Sequence, residues 1–382
     1  MTKYCYLTDC LHIKQKNEIC SHNLLKTLRV IGKNSGKQAD ISNWEEKVMT
    51  KQYLITGATS SLGVYLVKML LEQGEHVRIL ADTDVDCSCF DGTDVEIFRG
   101  ETFHKDTMKE FFTLDNPREC IFIHAEEQVS ISQGKNLLMR RINVSGAVNV
   151  TDMCIKHKIG RLVYLSSAYA LPVKGEQYVS GREFHFDRNL VEGDYAQTKA
   201  EASAYIMEKV SLNKYNAVLV LPTFMIGPGT PKDSDIGKVL NSYLNKEVAP
   251  VNGGHVFVDV RDVAAGIIAA AEKGTMGAGY ILTGEYRSTV EFLNDVCEAA
   301  GVEHDGKMFP DWLLKKSVAR FVDAYYKLTH KTNPKDVYAV FTTSSDARYE
   351  TDGSDEVMAG AGGISIKDSI KDTVTWVNGT GA

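Results

Sequence analysis

The stretch Tyr53-Leu-Ile-Thr-Gly-Ala-Thr-Ser-Ser-Leu-Gly63 constrains the fold more than any other part of the chain. A short apolar run, Tyr53 to Ile55, stops at Gly57, and a second glycine stands at Gly63. Leu62, Tyr65, Leu66, Met69 and Leu70 then recur at helical spacing. The pattern predicts a strand, a tight turn and a helix. Glycine is needed where backbone turns sharply or approaches a phosphate closely. The turn's N–H groups and the helix N-terminus form an anion site suited to a dinucleotide pyrophosphate. A glycine pair alone also fits an ordinary strand–helix turn, so other residues must decide.

The pattern then alternates. Strands are predicted at His76–Leu80, Val95–Phe98, Cys120–His124, Arg161–Leu165 and Ala217–Leu221. Helices are predicted at Lys105–Phe112, Lys135–Lys156 and Gly193–Leu212. Short apolar strands alternating with helices indicate a parallel sheet covered on both faces. The fold class is therefore α/β, a doubly wound parallel sheet of Rossmann type, with ligands expected beyond the strands' C-terminal ends. After about residue 223 the regularity loosens. Gly227-Pro228-Gly229-Thr230-Pro231 reads as a linker. Helices follow at Ile236–Asn245, Val260–Lys273, Thr289–Ala300, Trp312–Leu328 and Ile364–Val377, with short apolar runs at His255–Val258 and Tyr280–Leu282. Residues 351–363 read as a surface loop. The expected organisation is a dinucleotide-binding domain over 49–223. A smaller mixed substrate lobe follows over 224–382, with 255–283 returning to the core.

Residues 1–48 stand apart. Cys5, Cys10, His12, Cys20 and His22 are metal ligands by type, but their spacing fits no zinc pattern, so no metal is expected. Met49-Thr-Lys-Gln lies just before the first strand. Glu45-Glu46-Lys47 corresponds to purine-rich codons, as a translated ribosome-binding site would. The expectation is a start at Met49, with 1–48 poorly structured or outside the working enzyme. The chain of 382 residues is long enough for one large domain with a lobe, or two domains. Its net charge of −7 favours neither nucleic acid nor an anionic membrane as partner. The longest apolar run, Ala217 to Ile226, is too short to span a bilayer and contains Pro222. Eight scattered cysteines without a CxxC pair suggest no disulfide scaffold, and point to the cytoplasm.

Chemistry-bearing residues fall in order along this frame. Tyr195-Ala-Gln-Thr-Lys199 sets a phenol and an ammonium four apart, on one helix face. A lysine cation near a phenol favours the phenolate, so this tyrosine could exchange a proton with an alcohol or carbonyl near neutral pH. By itself such a pair is common on amphipathic helices. Ser166-Ser167 follows the strand Arg161–Leu165, where a hydroxyl can hold a substrate oxygen or cap a turn. Asn143 sits mid-helix, unfavourable if buried without a partner.

Taken in this order, the residues resemble the extended short-chain dehydrogenase/reductases, also called the NAD-dependent epimerase/dehydratase family. Thr56-Gly-Ala-Thr-Ser-Ser-Leu-Gly63 is similar to its TGATGFLG turn. Asn143-Val-Ser-Gly-Ala-Val-Asn149 is similar to NVxGTxN, and Tyr195/Lys199 to YxxxK. Leu165-Ser-Ser-Ala168, Pro222-Thr223, Val258-Asp-Val-Arg-Asp-Val263 and Ser345-Asp-Ala-Arg-Tyr349 also resemble family segments. The resemblance implies Tyr195 as acid/base, with Lys199 lowering its pKa and binding the nicotinamide ribose. It implies Ser167, less so Ser166, orienting the substrate oxygen, and Asn143 supporting the site. It places the cofactor against Gly57, Thr59, Ser60, Ser61, Leu62, Gly63, Asp82, Ala125, Tyr195, Lys199, Pro222 and Thr223. It also implies a homodimer through the Asn143 and Tyr195 helices.

Three departures stand out. Ser60 replaces the middle glycine of the turn, where a side chain either crowds the phosphates or bonds them. The family's alanine pair after the fourth strand reads His124-Ala125-Glu126-Glu127, and two acids there either change cofactor affinity or face solvent. Leu221 precedes Pro222 where many relatives carry Arg. The strand end Ile79-Leu80-Ala81-Asp82-Thr83-Asp84 carries acid without Arg or Lys, which favours NAD over NADP whether Ala81 or Asp82 takes the ribose position.

Tyr195–Glu201 and Leu221–Gly229 look most like the dihydroflavonol reductase-like and hydroxysteroid dehydrogenase-like subgroups. Phe224, Met225, Phe309, Trp312, Tyr325 and Tyr326 are apolar pocket candidates, though core packing accounts for each singly. The expected function is an NAD(P)-dependent oxidoreductase interconverting a carbonyl and an alcohol on an apolar small molecule. The alternatives are a nucleotide-sugar epimerase or dehydratase, and a non-catalytic NAD(P)-sensing protein.

Overall fold

The computed structural model describes residues 50–129, 136–172, 182–245, 253–303 and 363–379. The sequence readings at residues 1–48, Phe309, Trp312–Leu328, Ser345–Tyr349 and most of the 351–363 loop lie outside them.

Seven parallel strands form the main sheet: β1 (Gln52–Thr56), β2 (His76–Ala81), β3 (Glu96–Arg99), β4 (Ile121–His124), β5 (Arg161–Leu165), β6 (Ala217–Pro222) and β9 (Gly279–Leu282). Their order is β3-β2-β1-β4-β5-β6-β9. The order reverses between β1 and β4, so a crevice opens there beyond the strand C-termini. The helices are α1 (Ser61–Glu72), α2 (Leu137–Arg140), α3 (Ala147–His157), α4 (Asp194–Asn213), α5 (Asp235–Leu244), α6 (Val260–Lys273), α7 (Thr289–Ala300) and α8 (Ile366–Val377).

Alternate strand residues feed opposite faces, as the pleat requires. Ile55, Ile79, Ile123, Val163 and Val218 pack with Leu66, Val67 and Leu70 of α1 and Val263 and Ile267 of α6. Leu54, Phe122, Leu162 and Leu219 pack the other way, on Val150 and Met153 of α3 and Ile206 of α4. Each such fully buried aliphatic side chain contributes roughly 1.5–3 kcal/mol. A smaller mixed sheet joins β7 (Phe224–Ile226), β8 (Gly254–Asp259) and β10 (Glu285–Ser288), with β8 central. It shares a core with α5, α7 and α8 through Phe257, Phe292, Leu240 and Ile370.

Two of the expected helices differ from the sequence reading. The helix expected at Lys105–Phe112 tightens to a single 3₁₀ turn, Lys105–Met108. The Thr107 hydroxyl lies within hydrogen-bonding distance of the Glu101 and His104 carbonyls, a local alternative to helix propagation. The long helix expected over Lys135–Lys156 is interrupted by a π turn at Arg141–Gly146, between α2 and α3. Backbone approaches closely there: a Cβ on Gly146 would lie 2.6 Å from the Thr102 hydroxyl. Such widened turns frequently mark functional positions.

Candidate active site

The crevice is built from strand ends. Gly57, directly after β1, has φ +75°, which a side chain tolerates poorly. A Cβ there would stand 2.5 Å from the Ala125 carbonyl after β4, so the turn and the β4 end are in close contact. Thr59 stands half-buried in this turn. Ser60 has ordinary extended backbone, φ −70° and ψ 164°, so no glycine is required. Its hydroxyl donates to the Gly57 carbonyl at 2.8 Å and accepts from Gly63 N–H at 3.0 Å, capping α1. The other N–H groups of the first helical turn, at Ser61 and Leu62, have no acceptor within the helix. The Gly227–Gly229 turn after β7 closes against this end, since a Cβ on Gly229 would meet Ser61 at 2.9 Å.

Asp82 follows β2. Burial raises its carboxyl above the usual range, and the charges of Glu101 and Asp84 act the same way. Arg99, at the end of β3, spends its guanidinium on the Asp82 and Val85 carbonyls. Pro222 ends β6, and Thr223 N–H donates to the Leu282 carbonyl at 2.9 Å.

The opposite wall comes from α4 and the ends of β4 and β5. Lys199 is fully buried and donates to the Leu165 carbonyl at the end of β5. Tyr195 lies one turn earlier, and the neighbouring Ser167 hydroxyl acts to lower its phenol pKa against burial. The two adjacent serines divide: Ser166 pairs with Ser203 of α4 at 2.7 Å, while Ser167 accepts from Tyr169 N–H at 3.3 Å and lies on the tyrosine's side. Asn143, buried on the π turn, accepts from Gln128 N–H at 2.8 Å. It donates to the Gln128 carbonyl at 3.0 Å and to the Thr198 hydroxyl at 3.1 Å.

That clamp fixes Glu127. Its carboxylate accepts the Tyr195 hydroxyl at 2.9 Å and pairs with the Lys199 ammonium at 3.0 Å. The consequence reverses an expectation. Tyr195 is raised well above the usual phenol range, first by burial and then by the Glu127 charge. Burial acts most strongly and lowers Lys199, but Glu127 and Tyr164 together outweigh it and hold the ammonium above its usual range. Lys199 therefore has a counter-ion, and its charge no longer favours the phenolate. His124, at the end of β4, is pushed down to about 3 by burial and by the nearby Lys199 charge. It is neutral, with Nδ1 2.7 Å from the Thr56 hydroxyl.

Tyr195, Lys199, Ser167 and Asn143 thus converge on one wall of the crevice. Gly57 to Gly63, Asp82, Ala125, Pro222 and Thr223 occupy the strand ends around it. The sequence singled out Glu127 as unexpected but did not pair it with Tyr195 and Lys199. Its only signal was an acid where the resembling family carries alanine. Thr198 carried no signal.

A doubly wound sheet with a glycine turn at its switch point and a Tyr–Lys–Ser cluster facing it defines a dinucleotide-dependent enzyme. The chain matches the model of the NAD dependent epimerase/dehydratase family over residues 53–281. It belongs to that family. It is 28% identical over 279 residues to a putative dihydroflavonol 4-reductase of Synechocystis, covering 72% of this chain and 79% of that protein. It is 27% identical over 263 residues to sterol demethylase protein B of Methylococcus capsulatus, covering 69% of this chain and 78% of that one. A Thermus thermophilus UDP-glucose 4-epimerase solved with NAD superposes with a TM-score of 0.64 at 19% identity, over 86% of this chain and 99% of that chain, and shows the shared fold. Among the described residues no helix is long and apolar enough to cross a membrane.

Proposed function

We propose that the chain is an NAD-dependent oxidoreductase that interconverts a carbonyl and an alcohol on an apolar small molecule. The observation that carries this reading is the Tyr195 hydroxyl, beside Ser167 and one helical turn from buried Lys199, at the C-terminal edge of the sheet. The residues fit a dinucleotide: a close-packed glycine turn, the N-terminus of α1 and an acid after β2. The nicotinamide supplies or accepts the hydride. Tyr195 delivers or takes the proton at the substrate oxygen, Ser167 orients that oxygen, and Lys199 holds the ribose. Asp82, with Glu101 and Asp84 near it, disfavours a 2′-phosphate, which supports NAD over NADP.

The apolar substrate rests on rings that begin two residues after Ser167. The Tyr169 hydroxyl is 2.9 Å from His255 Nδ1, and Phe224 packs on that imidazole at 5.2 Å. The names of the two relatives above, a reductase and a sterol-processing protein, agree with such a substrate. The reading includes action in the cytoplasm. It also includes a homodimer, for which the exposed Leu137, Leu138 and Leu190 beside the Asn143 and Tyr195 helices offer apolar surface.

A spectrophotometric screen tests the proposal, with NADH and NADPH against aliphatic, aromatic and steroid carbonyls. Oxidation of NADH by an apolar carbonyl, lost in Tyr195→Phe with the fold intact, is expected. Inertness toward every carbonyl, together with conversion of a sugar nucleotide without net NADH consumption, would select the epimerase or dehydratase reading instead.

A further inference from the structure

The carboxylate of Glu127 touches both Tyr195 and Lys199, and the general reaction scheme has no use for it. The Lys199 side chain is 1% exposed and that of Glu127 13%, and Tyr195 is half-buried like Glu127. Among the described residues, the Glu127 charge also acts on Tyr164, whose ring lies 5.0 Å from the Lys199 ammonium, and His124 lies beside Tyr164. His124 is neutral and turned to Thr56. Glu127 is the acceptor of the Tyr195 hydroxyl and is itself open to water. Its aim is not accidental, since Asn143 grips the next residue by both backbone groups.

We infer that Glu127 is a proton relay for Tyr195, carrying to and from water the proton that the tyrosine exchanges with substrate. The inference rests on the oxidoreductase reading above. In alcohol oxidation the substrate O–H bond breaks and its proton joins the Tyr195 oxygen. The original Tyr195 O–H bond breaks in the same event, and its proton forms an O–H bond on Glu127 Oε2. The carboxylic acid then loses that proton to water, and the hydride leaves the carbinol carbon by the cofactor chemistry already proposed. In carbonyl reduction the same proton runs inward. The tyrosine need never persist as a phenolate, which suits a site where Lys199 is already neutralised by Glu127. The relay is a property of this chain's own Glu127, where the resembling family carries alanine.

Glu127→Gln and Glu127→Ala test the relay in the full-length protein, using the carbonyl found in the screen and its alcohol. Glutamine keeps the shape and hydrogen bonding, so loss of fold is not expected. With the relay, kcat near neutral pH falls about 100-fold in both variants. It recovers on the alkaline side as Tyr195 ionises directly, and added formate restores Glu127→Ala in proportion to its concentration. Wild-type kcat in both variants at neutral pH overturns the relay. If wild type turns over no carbonyl or alcohol, the oxidoreductase reading fails separately. The coupling is then read by NMR of protein carrying ¹³Cζ-tyrosine, with Tyr195→Phe identifying the resonance. A Tyr195 titration midpoint in Glu127→Gln at least about one pH unit below wild type, a tenfold change in ionisation, supports the coupling. An unmoved midpoint overturns it.

Discussion

Asn143 holds Gln128 by both of its backbone groups, accepting from the N–H at 2.8 Å and donating to the carbonyl at 3.0 Å. A side-chain amide carries an acceptor and a donor side by side, and a π turn aims it. The pairing ties a loop after β4 to the helix before β5 and positions Glu127 beside Tyr195. A buried asparagine in a helix is thereby fully explained by its partners.

Asn143→Ala should leave the Gln128 backbone unpaired and cost about 1–3 kcal/mol of stability. Amide exchange at Gln128 should accelerate while the strands of the main sheet keep their protection. Denaturant melts and hydrogen exchange read by mass spectrometry check both. Equal protection of Gln128 in variant and wild type would show that the clamp is unimportant.

Gly57 and Gly74 make a paired comparison. Both have positive φ, +75° and +80°, but only Gly57 is crowded, since nothing lies within 4 Å of a Cβ on Gly74. Gly74→Ala should cost roughly 1–2 kcal/mol, the left-handed backbone penalty alone. Gly57→Ala should cost more and weaken NADH binding, because the methyl group meets the Ala125 carbonyl. Thermal melts and fluorescence titration with NADH measure the difference.

Burial pushes the Glu126 carboxyl up to about 7, and the charges of Asp82 and Glu101 add to the rise. The unfolded chain ionises this group near the ordinary carboxylate value of about 4.3. Below that value both states hold the proton and nothing is lost. As pH rises toward 7 the unfolded state releases its proton first, so stability falls, and above 7 the loss is complete. Glu126→Gln should therefore match wild type at about pH 4 and exceed it at about pH 8. Melting temperatures across that range are the check. A constant difference at every pH would mean that the carboxyl's ionisation is not the cause.

Asp259 ends β8 and is buried. It caps α6 through Arg261 N–H at 2.8 Å, pairs with the Arg261 guanidinium at 2.8 Å, and accepts the Ser369 hydroxyl of α8 at 2.6 Å. Arg261 also reaches Asp372 at 2.8 Å. Asp259→Ala removes the centre of this joint and should cost about 3–5 kcal/mol. Because α8 packs in the smaller core, exchange should rise first in Ile366–Val377. Hydrogen exchange and denaturant melts test that order.

The α/β architecture was legible because burial on both sheet faces writes continuous apolar runs, such as Ala217 to Leu221, into the chain itself. The glycine turn and the Tyr195/Lys199 spacing were legible for the same reason: strand–turn–helix geometry and the four-residue helical repeat are local. Ser60 was legible as a departure, but its capping bonds to Gly57 and Gly63 depend on the folded path of the turn. Glu127 lies 68 residues from Tyr195, and their meeting depends on the strand order that sets β4 beside β5 and on the π turn that holds Gln128. Periodicity records which face a residue buries, whereas pairing across a crossover is set by the path of the backbone between. The sequence alone thus determined the layers of this protein and the glycine turn at its switch point. Only the tertiary structure decided that a carboxylate would stand between the phenol and the ammonium, and so which way their proton equilibria would move.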